Sequence, residues 1–287
     1  MNIEVICPLY NAEKYILDLD ANIKKQKNVD LKKISYVLTE SSDNTESMLK
    51  NINATYSKLK KTDFSHSTAR ENVAMKSEAD ILVFISQDIE IKNEDWLEQL
   101  VKPIVDNESE ASYSRQVTKY NNIEKYTREK NYPDTSFVNT KENLKEKGLK
   151  TFFFSDASSA IKTSVFKELN GYDGKRLVIN EDMYIAYKII MKGYRIKYCS
   201  DSIVYHSHKF TFKELYKRYY DTGVFFKENS YIDQYGTNKA GGSLAIYILK
   251  RAIQERNIKA LLEFLPNMLA RFLGMKMGKL SVKNESK

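Results

Sequence analysis

The sequence predicts an α/β protein built on a Rossmann-like sheet, and three observations predict it. Apolar, strand-like runs alternate with helically spaced segments through the first 105 residues, polar residues follow each run, and the chain is long enough to bury a core. With 287 residues, 42% of them hydrophobic, it suits one large α/β domain or two small ones, and excludes a disordered tail or a disulfide-stapled miniprotein. Cys7 and Cys199 stand far apart without metal-ligand spacing, so neither a disulfide framework nor a zinc knuckle is indicated and a reducing compartment is the default. The N-terminus lacks a basic segment and its apolar run is cut by Pro8, so it reads as a first strand rather than a signal peptide. No stretch reaches the ~20 apolar residues that span a bilayer.

Taken in order, residues 3–8 predict a buried strand stopped by proline, and residues 12–26 carry Tyr15, Ile16, Leu19 and Ile23 at helical spacing. Residues 34–38 repeat the strand signal, and Ser41-Ser42-Asp43-Asn44-Thr45 offers oxygens for a loop and a helix start. Residues 67–77 read as helix, 80–86 as strand and 94–105 as helix. This alternation predicts a largely parallel sheet with ligands at the strands' carboxyl ends. Residues 120–150 are polar, without a clear period, and read as an excursion with weak helical content. A helix follows Asn180, with Met183, Ala186, Tyr187 and Ile190 as its apolar stripe, and two short strands cover 194–199 and 203–206. Thr211 with Glu214 forms a capping box for a helix carrying Phe212, Leu215, Tyr216, Tyr219 and Tyr220 on one face. Beyond a Gly-Gly-Ser break at 241–243, two amphipathic helices, 244–265 and 268–277, are parted by Pro266.

The formal net charge is +8, yet residues 1–208 hold 31 basic and 31 acidic residues, so the excess, 15 basic against 7 acidic, lies in residues 209–287. An anionic partner therefore concerns the C-terminal end. There Lys250, Arg251, Arg256, Lys259, Arg271, Lys276 and Lys279 are interleaved with apolar residues, a pattern that suits helices lying on an anionic leaflet and equally helices packed on the domain. No RNP, zinc-finger or helix-turn-helix context accompanies the charge, so no nucleic-acid partner is expected.

The glycines never form GxGxxG or GxxxxGK[ST], and neither HExxH nor GxSxG occurs, which removes the dinucleotide, Walker, zincin and nucleophile-elbow classes. What remains is polar residues at strand ends: Tyr10-Asn11, Ser41 to Thr45, and Ser86-Gln87-Asp88. Asp88 follows a five-residue apolar strand, where a carboxylate can hold a divalent cation against a diphosphate or simply make a turn. Glu181 and Asp182 open a helix, where they complement its dipole, and a carboxylate there can also serve as a general base. His206 and His208 alternate on a strand-like segment, so at most one is expected in a given site. His66 lies close to Arg70, which can pair with a phosphate.

In this order the segments resemble family-2 glycosyltransferases of the GT-A fold. Val5-Ile6-Cys7-Pro8-Leu9-Tyr10-Asn11-Ala12-Glu13 resembles the family's opening strand and nucleotide loop, and Ser41 to Thr45 its second nucleotide loop. Residues 66–72 are similar to the helix that follows, Ser86-Gln87-Asp88 to the DxD element, and Asn180-Glu181-Asp182 to the ED element. Within the family, the Ser-Gln-Asp form, Arg115-Gln116, residues 152–172, Tyr205-His206-Ser207-His208 and residues 218–225 look most like bacterial rhamnosyltransferases.

The resemblance implies a nucleotide-sugar donor, with dTDP-β-L-rhamnose first, and inverting transfer to a hydroxyl of a glycan or lipid-linked glycan. It implies Asp182 as base with Glu181 beside it, and Asp88 with His206, or alternatively His208, as ligands of Mg2+ or Mn2+. Pro8, Tyr10, Asn11 and Ser42 would line the base and ribose pocket, Gln87 would join the donor site, Arg70 would approach the phosphates, and Arg115 and Gln116 would face the donor sugar or acceptor. The nucleotide-facing acid of the second loop falls on Leu38 in direct register, or on Glu40 after a one-residue slip. The role of Asp156, acceptor contact or turn cap, stays open. The expected organisation is a catalytic domain over 1–228 and basic amphipathic helices over 229–287, in a cytoplasmic protein peripheral to the inner face of the membrane. The rivals are a UDP-hexose or UDP-N-acetylhexosamine transferase and a catalytically silent glycan-binding protein.

Overall fold

The computed structural model describes residues 1–282. In chain order the elements begin with β1 (Asn2–Leu9), α1 (Ile16–Lys24), β2 (Asp30–Thr39), α2 (Thr45–Asn51), β3 (Thr55–Leu59), α3 (His66–Ala74) and β4 (Ile81–Ile85). They continue with β5 (Glu90–Ile91), α4 (Trp96–Val105), β6 (Ala111–Val117), α5 (Ile123–Asn131), β7 (Phe137–Asn139) and α6 (Leu144–Lys147). Then follow β8 (Ser158–Lys162), α7 (Thr163–Glu168), α8 (Glu181–Met191), β9 (Ile196–Tyr205), α9 (Phe212–Glu228), α10 (Ser230–Asp233), α11 (Thr237–Gln254) and α12 (Ile258–Ser281). Two compact units emerge. The first comprises residues 1–116, 134–141 and 152–206, and the second residues 117–133, 142–151 and the chain from 207 on.

The first unit is organised by one sheet of order β3-β2-β1-β4-β8-β6-β9-β5, with β7 paired to β9. The β3-β2-β1-β4 half is parallel, as the alternation predicts, with Val5 opposite Ile34 on one side and Val83 on the other. The other half departs from expectation: β8 runs antiparallel to β4, β6 to β8, and β5 and β7 to β9. Helices still separate the later strands, but these strands return in the opposite direction, so the connections are not the crossovers that parallel pairing needs. All five residues of β4 are buried, as a central strand covered on both faces requires. Ile3, Val5 and Leu9 pack with Ile16, Leu19, Ile23, Leu97, Leu100 and Ile104, each such burial contributing about 1.5–3 kcal/mol. In place of the two short strands expected over 194–199 and 203–206 there is one ten-residue strand, Ile196–Tyr205. The buried face of α8 is Tyr184, Ile185, Ala186, Ile189 and Ile190, so Met183 and Tyr187 fall to its edges.

The second unit is helical. The Thr211 and Glu214 capping box starts α9 as predicted. Two predicted breaks are corrected. Gly241 and Gly242 lie inside α11, and Pro266 lies inside α12. The chain turns instead at Arg256, which has φ of 51°, and Asn257 caps α12 by accepting from the Ala260 N–H. Glycines set the contact of α9 with α12: a Cβ on Gly278 would run into the Tyr220 carbonyl and Gly223 Cα, and one on Gly274 into the Tyr216 carbonyl. This packing ties α9 to the C-terminal helices, so the compact units part after His206, whereas the sequence reading divided the chain at residue 228. The irregular region also divides, residues 117–133 and 142–151 joining the second unit.

Candidate active site

The loops after β1 and β2 are laced together by reciprocal hydrogen bonds. Asn11, at φ 46°, accepts from the Ser42 N–H at 2.9 Å, and its own N–H donates to Ser41 Oγ at 3.0 Å. The Ala12 N–H donates to Thr45 Oγ1 at 2.7 Å and the Glu13 N–H to Asp43 Oδ2 at 3.0 Å, while Glu13 accepts from Asn44. Hydrogen bonds from Asn44 hold Glu13 below the usual glutamate range. Gln87, in the loop after β4, clamps the next residue along: its Oε1 accepts from the Tyr10 N–H at 2.7 Å and its Nε2 donates to the Tyr10 carbonyl at 3.0 Å. Tyr10 leaves its ring exposed, and Lys61 donates to its hydroxyl at 2.9 Å. The result is a pre-formed polar cradle at the carboxyl ends of three adjacent strands, the place where open α/β sheets bind ligands.

A buried charged network lies behind it. Arg70 on α3 is 2% exposed; its Nη1 donates to Glu181 Oε1 at 3.2 Å and to the His66 carbonyl at 3.0 Å, and its Nη2 to the Asp156 carbonyl at 3.2 Å. Asp156 is itself buried and accepts from Tyr172 Oη at 2.6 Å and Ser159 Oγ at 2.8 Å. Burial raises the Asp156 carboxyl, Arg70 opposes the rise and Glu181 adds to it. Burial likewise pulls Arg70 down, but the charges of Glu181 and Asp156 outweigh it and leave Arg70 raised. Glu181 therefore points into the protein on the first turn of α8, while Asp182 beside it is half-exposed. Asn180 enters the helix in the left-handed region, at φ 57°, which Asn tolerates better than most residues.

Asp88 and His206 form the third group. His206 is 8% exposed, its Nε2 stands 3.4 Å from Asp88 Oδ1, and its Nδ1 lies 2.8 Å from Gln116 Oε1. Gln116, 1% exposed, is oriented in turn by donating from Nε2 to Ser155 Oγ at 2.8 Å. An amide oxygen on Nδ1 calls for a proton there, which in the neutral ring leaves the Nε2 lone pair facing a carboxylate oxygen. A cation between the two atoms, a proton or a metal ion, satisfies both of them. A hard carboxylate beside an imidazole whose far nitrogen is tied down is a donor set that fits a divalent metal ion.

Several sequence expectations change in detail. Arg70, expected to approach the donor phosphates, is engaged with Glu181 and the Asp156 carbonyl in the interior. Gln116, expected to face the sugar or acceptor, is engaged with His206 and Ser155. Arg115 is half-buried on β6, and its Nε has no hydrogen-bond partner. Leu38 belongs to the core, whereas Glu40 stands exposed just past β2 and accepts from the Lys61 N–H at 3.1 Å. Pro8 is half-buried near the end of β1, and Ser42 is exposed on the second loop. β9 ends at Tyr205, so strand alternation does not govern the two histidines; His208 belongs to the second unit, where its ring stacks on Phe210 with centroids 5.0 Å apart. Sequence reasoning missed Lys61, Tyr172 and Ser155. Lys61 and Ser155 carry no motif, and Tyr172 is one of 20 tyrosines, marked only by its closeness to Gly171 and Gly174.

A model of the family described as Glycosyl transferase family 2 matches residues 4–170. The O-antigen chain rhamnosyltransferase RfbN of Salmonella typhimurium is 33% identical over 287 residues, covering 97% of this chain and 90% of that protein. The chain belongs to glycosyl transferase family 2. The O-antigen chain rhamnosyltransferase WbaN of Salmonella anatum is also 33% identical to this glycosyltransferase, covering 80% of its chain and 75% of that protein. Among solved structures, S. aureus TarS 1–349 in complex with UDP-GlcNAc superimposes with a TM-score of 0.58 at 14% identity, over 99% of this chain and 93% of that one. The mannosyltransferase PcManGT from Pyrobaculum calidifontis, in complex with GDP-Man and Mn2+, gives 0.62 at 18% identity, over 98% of this chain and 86% of that one. This glycosyltransferase therefore has the GT-A fold that its sequence predicted, and is an enzyme of sugar transfer.

Proposed function

We propose that this glycosyltransferase moves L-rhamnose from dTDP-β-L-rhamnose to a hydroxyl of a growing cell-surface or lipid-linked glycan, with inversion at the anomeric carbon. The observation that carries the reading is its similarity, along nearly the whole chain, to two O-antigen chain rhamnosyltransferases. Asp182, half-exposed at the start of α8, is assigned as the base that takes the acceptor proton, and Glu181, held by Arg70, fixes the turn that presents it. Pro8, Tyr10, Asn11, Glu40 and Ser42 are assigned to the nucleoside, Gln87 as the brace of the Tyr10 backbone and Arg115 to the sugar or acceptor. Asp88 and His206 would hold Mg2+ or Mn2+, which would neutralise charge on the departing diphosphate. Gln116, accepting from Nδ1, would orient the His206 ring with Nε2 toward Asp88. The reading puts the enzyme in the cytoplasm, peripheral on the inner face of the membrane.

The test is a donor panel. The enzyme is incubated with extracted lipid-linked glycans and dTDP-β-L-rhamnose, UDP-glucose, UDP-galactose, UDP-N-acetylglucosamine or GDP-mannose, and nucleotide release and product mass are followed. The expected result is dTDP release with a deoxyhexose added to the glycan. Turnover confined to a UDP-sugar or GDP-mannose would overturn the rhamnose assignment, and release from no donor would favour a silent glycan-binding protein.

A further inference from the structure

No helix among the described residues is long and apolar enough to cross a membrane. Yet the second unit exposes a series of large apolar side chains on two successive helices. On α12 the residues Ile258, Leu262, Leu265, Leu269 and Phe272 recur at alternating spacings of four and three, with Leu280 further along, and they are 46% to 74% exposed. At 100° per residue they fall on one side of the helix, opposite the Gly274 and Gly278 face that packs on α9. The preceding helix α11 exposes Ile246, Leu249 and Ile253 in the same manner. The surface continues into a cleft of about 670 Å³ walled by Phe210, Phe212 and Leu215 on one side and by Ile258, Leu262 and Pro266 on the other. An apolar area of this extent calls for a partner.

The charges around it select the partner. From Gly241 to Val282 the only acids are Glu255 and Glu263. Both are engaged within the unit, Glu255 by Lys125, Tyr126 and Arg251, and Glu263 by the Ile123 N–H. Among the described residues, the exposed basic side chains of α11, α12 and the turn between them are Lys250, Arg256, Lys259 and Lys276, and the one exposed acid, Glu255, is already paired with Lys125 and Arg251. A second copy docked on this face by two-fold symmetry would set cations against cations with no free acid to neutralise them. An anionic bilayer supplies both needs, hydrocarbon for the leucines and phosphate for the lysines.

We propose that the outward face of α11 and α12 is a monotopic membrane-binding surface. It seats the enzyme on an anionic leaflet, with Ile258, Leu262, Leu265, Leu269 and Phe272 in the acyl boundary and Lys250, Lys259 and Lys276 among the headgroups. The inference deepens the peripheral-membrane reading given above and names the surface responsible.

The test is flotation of the full chain with vesicles of phosphatidylglycerol and phosphatidylethanolamine, beside vesicles of phosphatidylcholine alone. Release of nucleotide from dTDP-β-L-rhamnose in detergent solution is measured on the same preparations. The wild type floats with the anionic vesicles and is released by salt. The triple variant Leu262→Glu, Leu265→Glu, Phe272→Glu stays in the bottom fraction. The variant Lys250→Gln, Lys259→Gln, Lys276→Gln loses roughly a hundredfold in partitioning, about fivefold per lysine. Both variants keep the wild-type circular dichroism and turnover in detergent, since none of these residues belongs to the active site. Equal flotation of wild type and the glutamate variant would overturn the proposal. So would a wild-type dimer in sedimentation that the glutamate substitutions dissolve without any vesicle binding. Flotation without turnover of any donor would sink the functional reading and leave the membrane face standing.

Discussion

The Arg70→Met substitution separates two roles that an arginine near a nucleotide site can play. The side chains of Arg70 and Glu181 are 3% and 10% exposed, so removing the guanidinium leaves a buried carboxylate without its cation and removes its hydrogen bonds to the His66 and Asp156 carbonyls. Breaking a buried pair from one side costs about 3–5 kcal/mol. For a chain of this size, at roughly 2 °C per kcal/mol, the melting temperature should fall by about 6–10 °C. The double variant Arg70→Met, Glu181→Gln should recover part of that loss, because no uncompensated charge remains. Thermal melting followed by circular dichroism reads the stability, and calorimetric titration with dTDP reads the nucleotide site. Bracing of Glu181 predicts a large fall in melting temperature with dTDP affinity changed by less than about threefold. An unchanged melting temperature together with a tenfold or greater loss of dTDP affinity would refute the bracing role and return Arg70 to the phosphates.

Three further outcomes follow from the same geometry. Gln116→Leu removes the acceptor on His206 Nδ1 and should weaken Mn2+ binding by about 10–100-fold, read as the metal concentration that half-saturates donor turnover; an unchanged metal dependence would contradict the tautomer argument. Gly278→Ala places a methyl against backbone of α9 that cannot rotate away, so the overpacking cost of about 1–3 kcal/mol offsets or exceeds the ~1 kcal/mol that alanine gains as a helix former. Gly242→Ala, in open space on α11, keeps only the gain, and equal melting shifts in the two variants would contradict the packing account. At Glu110 burial pushes the carboxyl up, but hydrogen bonds and charge from Arg195 prevail and hold it below the usual value of about 4.5. A carboxyl lowered on folding contributes stability above its unfolded pKa and loses it as the pH falls through its folded value, so Glu110→Gln should flatten the melting-temperature profile below about pH 4.5 and leave its slope at neutral pH unchanged.

The parallel half of the sheet was legible because its physics is local. Strands β1, β2 and β4 carry short, largely apolar runs and are joined by helices, a pattern with few alternative solutions. The antiparallel half was not, because the pairing of β8 with β4 and β6 depends on contacts far apart in sequence that leave no periodicity. In the site, Tyr10, Asn11, Ser42, Gln87, Asp88, Glu181 and Asp182 announced themselves by position after strands or at a helix start. What they touch did not. Arg70 and Gln116 have the chemistry of ligand-binding residues, and only burial, with partners 111 and 90 residues away, turns them into braces. Asp156 likewise is a buried acceptor for Tyr172 and Ser159, partners that its sequence position does not announce. The Gly-Gly-Ser and Pro266 breaks failed because tertiary packing carries helices through residues of poor propensity, a force no local rule records.

The central claim is that Asp182 takes the acceptor proton in a site whose donor cradle is pre-formed. Its most direct measurement compares wild type with Asp182→Asn in two assays on one preparation, calorimetric binding of dTDP and transfer from dTDP-β-L-rhamnose to lipid-linked glycan. The account predicts dTDP affinity within about threefold of wild type and transfer lowered by at least about 10²–10⁴-fold, the usual contribution of a general base. Transfer near the wild-type rate in a variant that still binds dTDP would contradict it.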